Sequence, residues 1–154
     1  MRVESVSSTF LRLEFPIMQN ANLLVDAALV QSIALPNGAA SVTSAAIDFM
    51  NSANGDLKAD VELLISAPLL VVGDLANADT MTYDIVHSVN ADLSSPATLL
   101  DNVITQTGAG GVGAAAATAT VRLPHDVRRY VGVKATNSGA GDASDKSVTL
   151  TPRF

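Results

Sequence analysis

The chain has 154 residues, no cysteine and no tryptophan; only 16% of it is charged, and the formal net charge is −6. That length suits one domain with a core that needs no staples, and the missing cysteines exclude disulfides, thiolate metal sites and cysteine nucleophiles. The acidity argues against a nucleic-acid binder, which needs a basic surface to displace counterions, and so low a charged fraction implies either much buried surface or a large area covered by partners, which fits an assembly component better than a free monomer.

Residues 1–20 read as an extended arm. Arg2 with Glu4 and Arg12 with Glu14 balance one another, Leu11, Leu13 and Phe15 alternate beside Phe10, and Pro16 ends the run. Met1-Arg2-Val3-Glu4-Ser5 carries an early acid and no apolar stretch, unlike a secretory signal. The expected domain organisation is this arm followed by a single β domain over 21–154. Residues 21–35 are ambiguous, because Leu23, Leu24, Ala27, Ala28 and Val30 fit one or two helical turns.

From there short alternating runs follow one another between turn signals. Val42–Phe49 leads into Asn51–Asp56, where Asn54-Gly55 is a strong turn pair. Asp60–Ala67 alternates through Val61, Leu63 and Ile65 until Pro68, and Leu69–Val72 is a short apolar run closed by Gly73-Asp74. Thr80–Asn90 places Met81, Tyr83, Ile85, His87 and Val89 on one face, and Thr82, Asp84, Ser88 and a lone apolar Val86 on the other. That is the period of a half-buried strand. Leu99–Thr107 precedes the glycine-rich loop Gly108–Gly113. Ala114–Leu123 alternates alanine with threonine, which favours strand over alanine's intrinsic helix preference. Arg128–Thr136 and Lys146–Thr151 close the series around the loop Asn137–Asp142. Seven or eight such strands and no long helix indicate an all-β, antiparallel β-sandwich or jelly roll.

No motif points to chemistry. Gly108-Ala109-Gly110-Gly111-Val112-Gly113 spells a dinucleotide turn, but the stretch to Pro124 is too short for the required helix and next strand, and Tyr130-Val131-Gly132 stands where a ribose-binding acid belongs. Asp84 and His87 share a face only in a helix, and His125-Asp126 after Pro124 reads as a turn, so no metal, cofactor or catalytic residue is assigned. Pairs such as Asp101 with Asp126 or Asp79 with Asp84 have nothing to single them out for glycoside hydrolysis. The uncharged stretches 27–47 and 102–121 are too polar and too interrupted to span a bilayer. Between Asp26 and Asp101 ten acids stand against one base, Lys58, whereas from Asn102 onward six bases outnumber three acids. The two halves can attract each other within one fold or between subunits.

Val121-Arg122-Leu123-Pro124 through Arg128-Arg129-Tyr130-Val131-Gly132-Val133-Lys134, followed by Ser138-Gly139-Ala140-Gly141-Asp142-Ala143, resembles the capsid cement (decoration) proteins of bacteriophages. There a strand ending in Leu-Pro, a short turn and an Arg-Tyr strand precede a glycine loop and the last strand. The likeness reaches back to Tyr83–Ser88 and covers about half the chain. It implies a jelly roll on the outer surface of an icosahedral phage head, assembled in the host cytoplasm, often as a trimer, and bound to the major capsid protein of the same phage. With no catalytic motif, an acidic chain and no apolar span, no enzyme, no direct nucleic-acid contact and no membrane are expected. The interface residues expected on the basis of the resemblance are Phe10, Leu11 and Phe15 of the arm, the Arg128-Arg129 pair, and Arg153-Phe154 at the end of the chain. Another virion part (tail, fibre or connector) and a receptor- or sugar-binding sandwich are the alternative readings, the last poorly supplied with two Tyr and four Phe.

Overall fold

Strand formation follows the two-residue period closely. The computed structural model describes residues 26–50 and 60–154, and within them nine strands form: β1 (Gln31–Ala34), β2 (Ser41–Thr43), β3 (Ile47–Asp48), β4 (Glu62–Ala67), β5 (Thr80–Ser88), β6 (Ala97–Thr107), β7 (Ala117–Arg122), β8 (Tyr130–Asn137) and β9 (Ser147–Arg153). In β4 the alternation buries Leu63, Ile65 and Ala67, in phase with Val61 just before it, and Pro68 ends the ladder because it has no N–H to give. β7 is a strand as its threonines suggest: Ala117, Ala119 and Val121 turn toward the core, and Thr118, Thr120 and Arg122 face water.

One sheet has the order β1-β9-β4-β7 and the other β2-β8-β5-β6, with β3 also on β8. All pairings are antiparallel, and one set of them is nested: β1 with β9, β2 and β3 with β8, β4 with β7, β5 with β6; the pairs β4 with β9 and β5 with β8 join these ribbons into the two sheets. A single long hairpin rolled so that its paired halves alternate between two sheets produces this order, which is that of a jelly roll. The core lies between the sheets, built around Tyr83, Leu63, Ile65, Ile85, Val133 and Leu150.

Three local departures from the expected strands have physical causes. The run Val42–Phe49 is split, with three residues (Ser44 to Ala46) facing two on β8, as in a β-bulge. Ser44 repairs the break: its N–H donates to the Val133 carbonyl, and its hydroxyl accepts from the Val133 N–H at 3.1 Å and donates to the Ala45 carbonyl at 2.8 Å. In β6 a second irregularity puts Asn102 at φ 49°, and the Asp84 carboxylate accepts from the Asn102 N–H at 2.9 Å. The face of β5 holds through His87, but Val89 lies beyond the strand and is exposed. Val86 and Ser88 are buried on the opposite face, where Leu93 from the β5–β6 loop also lies buried. Within the described part of the ambiguous segment there is one 3₁₀ turn, Ala27–Leu29, capped by the Asp26 carboxylate and followed by β1. The arm 1–20 and the Asn54-Gly55 turn lie outside the described residues.

Candidate functional site

The antiparallel order sends alternate loops to opposite ends of the sandwich, and the two ends differ in chemistry. One end gathers the β1–β2 loop (35–40), the β4–β5 loop (68–79), the β6–β7 loop (108–116) and the β8–β9 loop (138–146). Leu70 and Ala114 exchange both backbone hydrogen bonds at 2.9 Å, Gly38 N–H donates to the Gly141 carbonyl at 2.9 Å, and Asp142 N–H donates to the Gly73 carbonyl at 3.1 Å. Side chains reinforce the frame. Asp74 accepts from Val71 N–H and Asn77 from Gly111 N–H. Asn137 accepts from Gly139 N–H and donates to the Gly141 carbonyl.

Beneath these loops sits Gln106, on the core face of β6 and almost fully buried. Its Nε2 donates to the Pro68 carbonyl at 2.8 Å and to the Ala115 carbonyl at 2.6 Å, and its Oε1 accepts from the Tyr83 hydroxyl at 2.8 Å. One amide thus ties the loops on either side of it to β5. Burial pushes the Tyr83 phenol above its ordinary range, so it stays a donor.

On this pinned frame four aliphatic side chains face water: Leu69 at 56% exposure, Val71 at 46%, Val72 at 48% and Val112 at 74%. No charged residue occurs in 68–73 or 108–116. The run Leu69–Val72 is therefore not a core strand; only Leu70 turns inward, and the run contributes a single β-bridge, to Ala114. The expected interface omitted this surface. Its one signal in sequence is four aliphatic residues in a row between Pro68 and Gly73, without the alternation that every neighbouring strand displays.

The opposite end is ionic. It holds the start of β4, the β5–β6 loop, the β7–β8 turn and the end of the chain. Arg129 clamps Asp48 with two hydrogen bonds, Nε to Oδ1 and Nη2 to Oδ2, both 2.8 Å, and lies 5.2 Å from the centroid of the Tyr130 ring. Those bonds hold the Asp48 carboxyl below its usual range against the opposing effect of burial. Arg122 pairs with Asp60, and Glu62 lies in register between Arg122 and Arg153. In both long-range ion pairs among the described residues an acid of the first half meets a base of the second, so here the opposed halves attract each other within one chain. Of the expected interface residues, Arg128, Arg129, Arg153 and Phe154 all fall at this end. Arg129 is engaged with Asp48 and Phe154 is exposed; Phe10, Leu11 and Phe15 lie outside the described residues.

The other candidate groups stay apart. Asp84 and His87 point to opposite faces of β5: Asp84 holds the Asn102 bulge, while His87 Nδ1 accepts from the Arg128 N–H at 3.1 Å. After Gly108–Gly113 comes strand β7, not the helix of a dinucleotide site. Among the described residues no group of three or more His, Asp or Glu could hold a metal, and no helix is long and apolar enough to cross a membrane. No protein-family model matches the chain, and no curated protein matches it.

His87 gives the charged end a measurable pH response. Its pKa is lowered by burial first and by Arg128 second, with Asp126 opposing. The neutral ring is also the form that can accept from Arg128 N–H. A histidine with a depressed folded pKa leaves the unfolded state binding more protons, so stability is full above the unfolded value of about 6.5 and declines as pH falls through it. The carboxylates with lowered pKa values titrate further down, so the loss from the His87 shift is sought between pH 7.5 and 5.5, with a His87→Gln variant as the reference that separates it from every other group. The thermal midpoint of the wild type is expected to fall across that interval more than that of His87→Gln. Equal falls would remove His87 from the account.

Proposed function

We propose that the chain is a structural protein of a phage virion, one that binds the outer surface of the icosahedral head and cements neighbouring capsomers without catalysing a reaction. The observation that carries this reading is the spatial agreement of the segments behind the resemblance. Val121–Pro124 runs out of the end of β7, Arg128–Lys134 runs into β8, Ser138–Ala143 begins the loop to β9, and Tyr83–Ser88 lies on β5, paired residue by residue with Tyr130–Ala135 of β8. Two of these segments, Tyr83–Ser88 and Tyr130–Lys134, far apart in the sequence, are thus neighbours in one sheet, while β7 and β9 belong to the facing sheet.

The chemistry of the surface supports the same reading. A cement protein works by mass action, binding the assembled shell in preference to separate subunits and so stabilising the shell. It needs preorganised area, roughly 800 Å² per partner for a specific contact, and the loop-built end of the sandwich offers a fixed frame for it. In this reading the partner is the major capsid protein of the same phage, the working form is a homo-oligomer with a trimer favoured, and assembly takes place in the host cytoplasm.

Quantitative mass spectrometry of purified virions tests this directly. One copy of the chain per copy of the major shell protein, or a simple fraction such as one third, is the expected result. A handful of copies would move the protein to the tail or portal, and its absence from virions would sink the proposal.

A further inference from the structure

We propose that the aliphatic end of the sandwich, where Leu69, Val71 and Val72 stand beside Val112, is the face that seats on the shell protein. Its complement there is an aliphatic patch flanked by lysine or arginine. This inference rests on the cement reading and names the surface that performs it, at the end of the molecule opposite to Arg128, Arg129 and Phe154.

Three features of this end point to a partner. The Leu70–Ala114 bridge gathers the exposed aliphatic side chains of two loops, and adjoining apolar groups of this kind on a soluble protein mark contact sites. The frame beneath them is already fixed by cross-loop hydrogen bonds and by Gln106, so little ordering is needed on binding. The centre carries no charged group that would have to be stripped of water on docking.

Charge decides what kind of partner fits. At the surface the four loops of this end carry Asp79, Asp142 and Asp145 against the single base Lys146, which is paired with Asp145, while Asp74 is buried beneath them. Two copies meeting face to face would bring the same acids together, because a two-fold contact presents one patch to itself. Stacking this end on the ionic end of another copy would repeat without closing and produce a filament. A second copy is therefore a poor occupant. A different protein with an aliphatic centre and basic flanks satisfies both the apolar core and the acidic rim.

The test uses heads of the phage that encodes the chain, stripped of it, with purified full-length protein added back. Wild type, Val72→Asp, Val112→Asp and a control on the outer face of β7, Thr118→Asp, are titrated against the heads. Circular dichroism and free molecular mass are measured for each. Val72, Val112 and Thr118 are all exposed, so the variants are expected to fold. The two loop variants are expected to bind about tenfold or more weakly, as for a charge placed in a desolvated contact, with Thr118→Asp close to wild type. Wild-type affinity is also expected to fall as salt is raised.

Failure of wild type to bind the heads would end both the cement reading and this inference. Wild-type binding that survives both loop substitutions would overturn the inference alone and leave the cement reading standing. Loss of binding together with a drop in free mass would assign the face to contacts between copies, and salt-independent binding would remove the basic flanks; each result overturns the proposal as stated.

Discussion

Gln106→Leu is expected to lower the unfolding free energy by about 2–4 kcal/mol, because each buried polar group stranded without a partner costs about 1–3 kcal/mol. The substitution fills a similar volume, so packing contributes little to the loss. What it leaves behind is the Tyr83 hydroxyl, fully enclosed, and the Pro68 and Ala115 carbonyls, which are partly open to water and can recover some hydration. Tyr83→Phe removes one bond only and is expected to cost about 1 kcal/mol. The double variant is the decisive member of the cycle. With the phenol gone, Gln106→Leu strands one group fewer, so the double variant should be more stable than the sum of the single losses predicts. Denaturant unfolding with an unchanged slope measures this. A single-variant loss below about 1 kcal/mol, or strict additivity in the cycle, would show that the amide is not the tie between the loops and β5.

The network also shows where sequence reading stops. The inward faces of β4, β5 and β7 were legible because each side chain's fate depends on its own strand's period: Leu63 and Ile65, Met81 and Tyr83, Ala117 and Ala119 all fall as alternation dictates. The alanines of β7 are instructive, since intrinsic preference alone would have made them helical. Nothing local distinguishes Gln106 from the exposed Thr105 and Thr107 beside it, because its three partners come from three other segments. The split of Val42–Phe49 depends on Ser44 reaching Val133, next to Gly132, whose missing side chain leaves room for the Leu93 and Ser44 side chains. The charge imbalance between the halves foretold that acids and bases could meet within the fold, but not that Arg129 would choose Asp48. Least legible was the aliphatic end, where loops distant in sequence converge and leave Leu69, Val71 and Val72 outside the core that their composition suggests.

Gly113→Ala is the second substitution expected to have a large effect, and the same six-residue loop supplies its control. Gly110, Gly111 and Gly113 all have positive φ, at 60°, 73° and 88°. Any L side chain placed there meets the left-handed penalty of about 1–2 kcal/mol. A methyl group at Gly110 or Gly111 would find open space, whereas at Gly113 it would overlap the backbone of Leu70 and Val71. Backbone atoms held in the Leu70–Ala114 bridge cannot turn aside as a side chain would. Gly111→Ala is therefore expected to lower the thermal midpoint by about 3–5 °C and Gly113→Ala by about 10 °C or more, at roughly 2–4 °C per kcal/mol for a chain of this size. Equal shifts would mean that backbone conformation, not the close approach of two loops, is what these glycines serve. Unequal shifts in the expected order would tie the glycine spacing to the junction that sets Val112 beside Val71. They would also explain a run spelled like a nucleotide-binding turn by packing alone.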